Sequence, residues 1–173
     1  MENLTYRKLS LADKPKLLGL DEAVLKELKE RERQEFIIKY FSQYSCEELK
    51  QLFNKKRYIM LGALNGNTLD GALRLTIDQD DLAQYHEILG TDTKKCLFGN
   101  LMVRPEHRRQ KIMTALAGHA IGEADKQQCE TAVALIHAKN GPGLGIFEKL
   151  RFEPAGKMIE VAQQPYIVVT KEL

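Results

Sequence analysis

Positively charged side chains crowd the point where an apolar, strand-like segment meets a helical pattern. The sequence from 103 to 116 reads VRPEHRRQKIMTAL. A helix N-terminus exposes unpaired N–H groups and the positive end of the helix dipole, so it attracts anions. Lysine and arginine normally favour the opposite end of a helix. Cations at a helix start therefore indicate an anionic ligand, and phosphate is the best candidate. The cations are Arg104, His107, Arg108, Arg109 and Lys111.

Length and composition narrow the class of protein. The 173 residues fit a single domain, 1–173, that can bury a sizeable core. The formal net charge of +2 gives no reason to expect a nucleic-acid partner. No apolar run approaches the roughly 20 residues that span a membrane. The N-terminal sequence MENLT lacks the basic-then-apolar order of a signal peptide.

The cysteines favour a reducing compartment. Cys46, Cys96 and Cys129 are an odd number, are widely spaced and include no CxxC pair. This spacing is not that of a disulfide framework or a zinc site. We therefore expect reduced thiols, no metal site and a cytoplasmic location. Together with the lack of a long apolar run, this predicts a protein that makes no membrane contact.

Hydrophobic periodicity and turn signals predict alternating strands and helices. Ser45 and Glu48 are spaced as in a capping box, and Asn65-Gly66 predicts a hairpin turn. The 78–94 segment is polar, with helical character near 82–89. The predicted strands are 4–9, 57–64, 68–77, 96–103, 131–136, 158–162 and 166–170, and the predicted helices are 14–40 (allowing a break), 45–53, 109–127 and 140–150. The order βααββ(loop)βαβαββ indicates an α/β (α+β) fold with helices on both faces of a mixed sheet.

A second motif follows the cationic stretch, with a strand between them. Residues 140–152 read NGPGLGIFEKLRF. This spacing resembles the late helix and strand of the GNAT superfamily of N-acetyltransferases, usually Asn-x-x-Ala-x-x-Leu-Tyr-x-Lys-x-Gly-Phe. The 103–116 stretch resembles that family's acyl-CoA pyrophosphate loop, Arg/Gln-x-x-Gly-x-Gly/Ala. The two motifs lie within 96–154, and the order of elements extends the resemblance over the whole chain.

The resemblance implies a mostly antiparallel central sheet and a site for acetyl-CoA or coenzyme A as co-substrate. The loop would hold the pyrophosphate, and the preceding strand would hold the pantetheine arm as an added strand. The residues so implied are Leu101, Met102, Val103, Arg108, Arg109, Gln110, Lys111, Ile112, Met113, Thr114, Asn140 and Phe147. By residue type alone, Asn140 also fits a helix N-cap, and Phe147 also fits the core.

The chain departs from the family at positions that matter for the chemistry. The family's loop glycines fall on Lys111 and Met113, and Arg109 stands where glycine is also common. Glycine lets a backbone approach its ligand closely, so phosphate binding would depend more on side chains here. Phe147 replaces the tyrosine that the family commonly uses to protonate the departing thiolate. A thiol with a pKa near roughly 8.5 leaves without a strong acid, so we assign no side-chain general acid.

Acetyl transfer to an amine also needs an oxyanion donor and a base. The resemblance places the donor at the backbone N–H of Leu101, where the central strand splays from its neighbour. Gly99 fits a bulge in that strand. Some family members place a basic carboxylate where Leu97 stands, and leucine has no such function. His137, just after a buried strand, is one candidate base. Others are Asp78, Asp80, Asp81, His86, Glu87 and Tyr166.

Two hypotheses of different classes follow. The first is an N-acyltransferase that moves an acetyl group directly to a primary amine of a small molecule or peptide within a ternary complex. Homodimerisation is compatible with it. The alternative is a catalytically weak or inactive GNAT-fold module that senses coenzyme A. A basic-patch binding protein without a coenzyme A site is disfavoured by the near-neutral charge.

Overall fold

A mixed sheet of seven strands forms the centre of the fold. The computed structural model describes residues 4–90 and 92–173. The strands are β1 (Thr5–Lys8), β2 (Tyr58–Asn65), β3 (Thr68–Thr76), β4 (Lys95–Val103), β5 (Thr131–His137), β6 (Glu153–Val161) and β7 (Gln164–Glu172). Their order is β1-β2-β3-β4-β5-β7-β6. Only β4 and β5 are parallel among the described neighbours, so the predicted mixed, mostly antiparallel sheet is confirmed.

Two parts of the sequence predictions lie outside the described residues. Residues 1–3 belong to the N-terminal stretch used for the expectation about a signal peptide. Thr91 belongs to the polar 78–94 segment.

Helices cover both faces of the sheet. They are α1 (Lys14–Glu30), α2 (Cys46–Gln51), α3 (Gln79–Leu82), α4 (His86–Leu89), α5 (Ile112–Lys126) and α6 (Gly141–Lys149). On one face, α5 and α6 belong to an apolar cluster with Leu73 and Leu75 of β3. On the other face, α1 and α2 pack with Leu69 and Ala72. The alternation of β3 side chains therefore supplies two cores.

The first long helix is shorter than its sequence pattern predicted. Helix α1 ends at Glu30 rather than near Tyr40. Glu32 takes a positive φ of 53°, and the N–H of Arg33 bonds to the carbonyl of Leu28 at 2.8 Å. This closes the last turn, so the break that the prediction allowed comes directly after α1. Residues 31–45, the α1–α2 connection, continue as short 3-10 turns. The capping box of Ser45 and Glu48 then starts α2, as predicted.

Other boundaries differ from the predictions for local reasons. The hairpin turn has Gly66 and Asn67 between the paired ends of β2 and β3, one residue later than predicted. Gly66 alone takes a positive φ of 57°, as in a type II′ turn. Strands β6 and β7 extend further than predicted, across a register shift that follows Pro154. The helical character predicted near 82–89 appears as α3, a 3-10 turn and α4.

A buried carboxylate fixes the α1–α2 connection to α1. Asp21 is fully buried on α1. Its two oxygens accept the backbone N–H groups of Phe41 and Ser42, each at 2.9 Å. Asp21 therefore both anchors this part of the connection to α1 and pairs two of its N–H groups.

Removing this carboxylate is expected to destabilise the fold. Asp21→Ala leaves two N–H groups without their acceptor, which should lower the free energy of unfolding by about 3 kcal/mol. Asp21→Asn keeps one acceptor oxygen and should lose less. Glu22→Ala, an exposed neighbour on α1, should change stability by no more than about 0.5 kcal/mol. Urea unfolding of the three variants measures this, and equal losses for Asp21→Ala and Glu22→Ala would contradict it.

Candidate functional site

The central parallel pair of strands separates part-way along its length. Pairing of β4 with β5 runs from Lys95 and Thr131 to Phe98 and Ala134, and no later pair joins them in the part of the chain described. Strand β5 nevertheless continues, paired with β7, to His137. The second half of β4 therefore turns an unpaired backbone edge toward a widening gap.

A bulge in β4 lies at the mouth of this gap. Arg74 of β3 pairs with Gly99, whereas Ala72 pairs with Met102, so two residues of β4 stand where β3 has one. The two residues are Asn100 and Leu101, and Asn100 takes a positive φ of 48°. The sequence predicted the bulge at Gly99, and the structure has it one residue later. Asn100 can occupy this position because asparagine tolerates the left-handed conformation. Such a bulge redirects the backbone at Leu101.

The cationic turn after β4 forms a cradle of free N–H groups. Arg109 and Lys111 take left-handed conformations with φ of 65° and 61°, so α5 begins at Ile112, three residues later than predicted. Within residues 4–90 and 92–173, the N–H groups of 109–114 donate no hydrogen bond that this structure shows. These positive φ values occur where the family has glycines. The loop thus keeps unpaired backbone donors of the kind that suit an anion, although its glycines are gone.

Two of the predicted cations, Arg104 and His107, already have partners on β3 beneath the loop. Asp70, an extra residue in β3 that is only 2% exposed, lies under the turn. His107 Nδ1 is 2.9 Å from Asp70 Oδ2, and the Arg104 N–H bonds to the Asp70 carbonyl at 2.8 Å. The Arg104 guanidinium also donates to the Leu69 carbonyl. Arg104 and His107 therefore hold the turn on β3 rather than facing outward.

A third cation is paired with α1. Arg108 Nη2 lies 2.9 Å from Glu27 Oε2, and the other oxygen of Glu27 pairs with Arg31 at 2.6 Å. Arg109 and Lys111 are exposed, and neither forms an ion pair among the described residues. These two side chains are the cations most available to a phosphate at the cradle. A contact of Arg108 with phosphate stays a prediction.

Helix α6 shows both structural roles that its sequence allowed. Asn140 caps the helix, because its Oδ1 accepts the Gly143 N–H at 3.0 Å. Phe147 is 2% exposed and meets Phe98 and Phe152 edge-on, with centroids 6.2 and 4.9 Å away. Their predicted contacts with a cofactor stay predictions.

His137 lies at the end of β5, but both ring nitrogens have partners. Nδ1 accepts the Lys139 N–H at 3.2 Å, and Nε2 lies 3.2 Å from Gln164 Oε1. Nδ1 as acceptor leaves Nε2 as the protonated donor. The neutral ring therefore has no free lone pair, and at 1% exposure it is closed to solvent. These contacts disfavour His137 as the general base.

The α1–α2 connection crosses the gap, which the sequence analysis missed. Asn100 Nδ2 donates to the Lys39 carbonyl at 2.7 Å, the Tyr166 hydroxyl donates to the Glu35 carbonyl, and Phe36 lies 5.1 Å from the His137 ring. The sequence predicted that the helix continues to residue 40. A continuous helix would not cross the gap, so the crossing was not anticipated.

Glu35 brings a carboxylate to the same place. Burial raises the pKa of Tyr166 to about 12, and the negative charge of Glu35 adds to the rise. Glu35 also contributes to the raised pKa of Tyr40, after burial and Asp21. Glu35 is half-buried and forms no ion pair within the described ranges. The Glu35 backbone therefore lies at the gap, and its side chain is close enough to act on Tyr166 there.

Comparison with known proteins agrees with this geometry. A profile of the acetyltransferase (GNAT) family matches residues 23–152, well over half of the chain. The chain belongs to the GNAT acetyltransferase family. No curated protein matches the sequence.

Solved GNAT structures share the fold at low sequence identity. A ribosomal-protein-alanine N-acetyltransferase from Brucella melitensis superposes with a TM-score of 0.74 at 18% identity, over 98% of this chain and 100% of that chain. An N-acetyltransferase from Staphylococcus aureus Mu50 gives 0.73 at 16% identity, over 99% of each chain. PaiA N-acetyltransferase from Thermoplasma acidophilum, in complex with coenzyme A, gives 0.67 at 18% identity, over 99% of each chain. At such identities the likeness shows the fold.

Two features are not found in the described part of this GNAT domain. Among residues 4–90 and 92–173, no group of three or more potential metal ligands occurs. No helix in the same ranges is long and apolar enough to cross a membrane.

The left-handed residues of the loop predict an unusual response to glycine. An L-residue in this conformation costs about 1–2 kcal/mol, and glycine's extra chain entropy costs about 0.5–1 kcal/mol. Lys111→Gly should therefore leave the free energy of unfolding unchanged or raise it by up to about 1.5 kcal/mol. Lys111→Val should lower it, because a β-branched residue is a poor fit at positive φ.

Gln110→Gly is the matched control, because the neighbouring Gln110 is not among the residues with positive φ. It should lose about 0.5–1 kcal/mol. Urea unfolding compares the three variants. A loss for Lys111→Gly as large as that for Lys111→Val would contradict the left-handed geometry.

Proposed function

We propose that this protein is an acyl-CoA-dependent N-acyltransferase that transfers an acetyl group from acetyl-CoA directly to a primary amine. The observation that carries the proposal is the adjacency of two features along one stretch of chain. Strand β4 has an unpaired edge after Phe98, and the free N–H cradle at 109–114 follows it directly. One feature suits an extended amide-containing arm, and the other suits a pyrophosphate.

The residues of this stretch fit coenzyme A as a co-substrate. The backbone of Leu101 and Val103 would pair with the pantetheine amides. The N–H groups from Arg109 to Thr114 would hold the pyrophosphate, with Arg109 and Lys111 adding charge-assisted hydrogen bonds. Bound acetyl-CoA supplies the acetyl group as an activated thioester.

The chain offers an oxyanion donor and a base on the two sides of the gap. The Leu101 N–H, turned by the bulge, would donate to the thioester oxygen as charge develops on it. The amine nitrogen forms a bond to the acetyl carbon, the carbon–sulfur bond breaks, and the amine loses a proton. We assign that proton to the Glu35 carboxylate, directly or through water. The thiolate leaves without a protein acid, since Phe147 has no proton to give.

The acceptor is a primary amine of a small molecule or a peptide. The name of the Brucella melitensis relative, a ribosomal-protein-alanine N-acetyltransferase, supports a peptide amine. The alternative function is a coenzyme A sensor, which the absence of a hydroxyl at Phe147 favours. The two differ in whether bound acetyl-CoA reacts faster when an amine is present.

Binding and turnover together test the proposal. Coenzyme A at 100-fold excess over its Kd should stabilise the folded protein by about 2.7 kcal/mol, measured as a thermal shift. Acetyl-CoA with a panel of amino acids, peptides and polyamines should then release thiol faster than acetyl-CoA alone. No shift at millimolar coenzyme A would refute binding, and a shift without amine-dependent release would favour the sensor.

Replacing Glu35 tests the base. Glu35→Gln should lower kcat/KM at neutral pH by about 100-fold, the lower end of a general-base contribution. The deficit should shrink above about pH 10, where amines lose their proton unaided. Glu32→Gln, an exposed change in the same connection, should stay within about twofold. Equal activity of the two variants across the pH range would exclude Glu35 as the base.

A further inference from the structure

A polar gap separates two apolar clusters on the α1 face of the sheet. One cluster lies under α1 and α2 and includes Tyr44 at its margin. The other lies under α3 and α4 and includes Tyr85 at its margin. Between them, Arg74 projects from β3, beside the bulge in β4. Its guanidinium lies 5.6 Å from the ring centre of Tyr58, and its charge opposes the burial that raises the pKa of Tyr85.

The guanidinium of Arg74 is held by one edge only. Nη1 donates to the Tyr44 hydroxyl at 2.9 Å. Nε is buried without a hydrogen-bond partner in the described structure, and no hydrogen bond from Nη2 occurs there either. The Nε–Nη2 edge is a fork that matches a carboxylate with two parallel hydrogen bonds. This is the edge that Arg74 leaves unused.

Gly99 is the residue that this unused edge approaches. A Cβ atom at this position would lie 3.0 Å from Nη2 and 3.4 Å from Nε of Arg74. Gly99 is half-buried and has no positive φ, so its lack of a side chain is not needed for its backbone conformation. What the missing side chain permits is the close approach of the Arg74 guanidinium to β4, with its Nε–Nη2 edge against Gly99.

The neighbouring Arg57 shows that a fully paired arginine is possible on this face. Its guanidinium also lies 5.6 Å from the centre of the Tyr58 ring. It pairs with Asp81 and lies 3.4 Å from Asp78. No carboxylate of residues 4–90 or 92–173 pairs with Arg74. Arg74 therefore carries a positive charge beside the gap without a protein anion to neutralise it.

We infer that Arg74 selects the acceptor, and that the acceptor is an amino acid-like molecule whose carboxylate binds the Nε–Nη2 edge above Gly99. Gly99 and Leu101 are two residues apart, so the carboxylate and the reacting amine would be separated by roughly 7 Å or less. This limit fits a carboxylate one to three carbons from the amine. Glu35, on the far side of the gap, would attract the ammonium group. The inference rests on the proposed acetyl transfer and specifies its substrate class.

Matched acceptor pairs test the inference. Glycine, β-alanine and γ-aminobutyrate would each be compared with the corresponding carboxamide, using acetyl-CoA-dependent thiol release and correcting for the fraction of neutral amine. At least one acid should exceed its amide in kcat/KM by tenfold or more. If amides and acids react equally, or a peptide amine lacking a nearby carboxylate is the better acceptor, the inference is wrong while acetyl transfer stands. If no amine accelerates release, acetyl transfer itself has failed.

Variants then assign the preference to Arg74. Arg74→Met should raise KM for the preferred acid at least tenfold and bring the acid-to-amide ratio near one, with KM for acetyl-CoA unchanged. Arg74→Lys keeps the charge but not the fork, so it should lose part of the preference. Gly99→Ala places a methyl group 3.0 Å from Nη2, which displaces the fork, and should raise the same KM. Arg57→Lys is the matched control and should leave the ratio unchanged.

The acid-to-amide ratio of kcat/KM distinguishes selection of the acceptor by Arg74 from a merely structural role of Arg74. If Arg74→Met and Arg74→Lys lower the rates for acid and amide by the same factor, Arg74 only supports the fold and the inference is refuted. Both guanidinium groups lie 5.6 Å from the centre of the Tyr58 ring. A loss of folding that comes from this ring contact would therefore appear in the thermal melts of both Arg74→Lys and Arg57→Lys.

Discussion

The parting of β4 from β5 after Phe98 is the constraint on which the rest of the site depends. In a strand in the middle of a sheet, the N–H and C=O groups ordinarily form hydrogen bonds with the neighbouring strands. Here the bulge at Asn100 and Leu101 turns β4 away while β5 stays paired with β7 through His137. The sheet thereby gains an internal edge that is protected from edge-to-edge association by its own flanking strands. A ligand of extended shape is the natural partner for such an edge.

The α1–α2 connection gives this opening its second wall. Its contacts lie on separate strands: Asn100 of β4 donates to one of its carbonyls, and Tyr166 of β7 donates to another. Its C-terminal part is fixed by Asp21, whose carboxylate accepts two N–H groups from Phe41 and Ser42. A segment without regular structure is thus placed by polar contacts, which fix direction more strictly than apolar contacts do. The position of the Glu35 charge follows from that placement.

The sequence predicted the framework better than the site. The sequence located all seven strands of the described sheet. Strands β2 to β5 were the clearest, because a strand buried on both faces shows in its composition, and the two motifs located the stretch from β4 to α6. The path of residues 31–45 was not predictable, because Phe36, Ile37 and Tyr40 repeat at a helical spacing while their contacts are tertiary. Arg74 was also missed. The role proposed for Arg74 depends on its contacts with Gly99 of the neighbouring strand and with Tyr44, thirty residues away along the chain. No local sequence pattern joins these residues.

The phosphate loop shows how a motif can be lost while its geometry is kept. Arg109 and Lys111 hold the left-handed conformations that glycine would adopt freely, so the backbone donors are preserved at a cost in local strain. In return, the loop carries two exposed cations at the helix start. Arg108, the residue that matches the motif, is instead paired with Glu27, which also pairs with Arg31. Attraction of phosphate to this loop would therefore come from solvent-exposed charges, which salt screens strongly, and a steep dependence of coenzyme A affinity on ionic strength is the consequence.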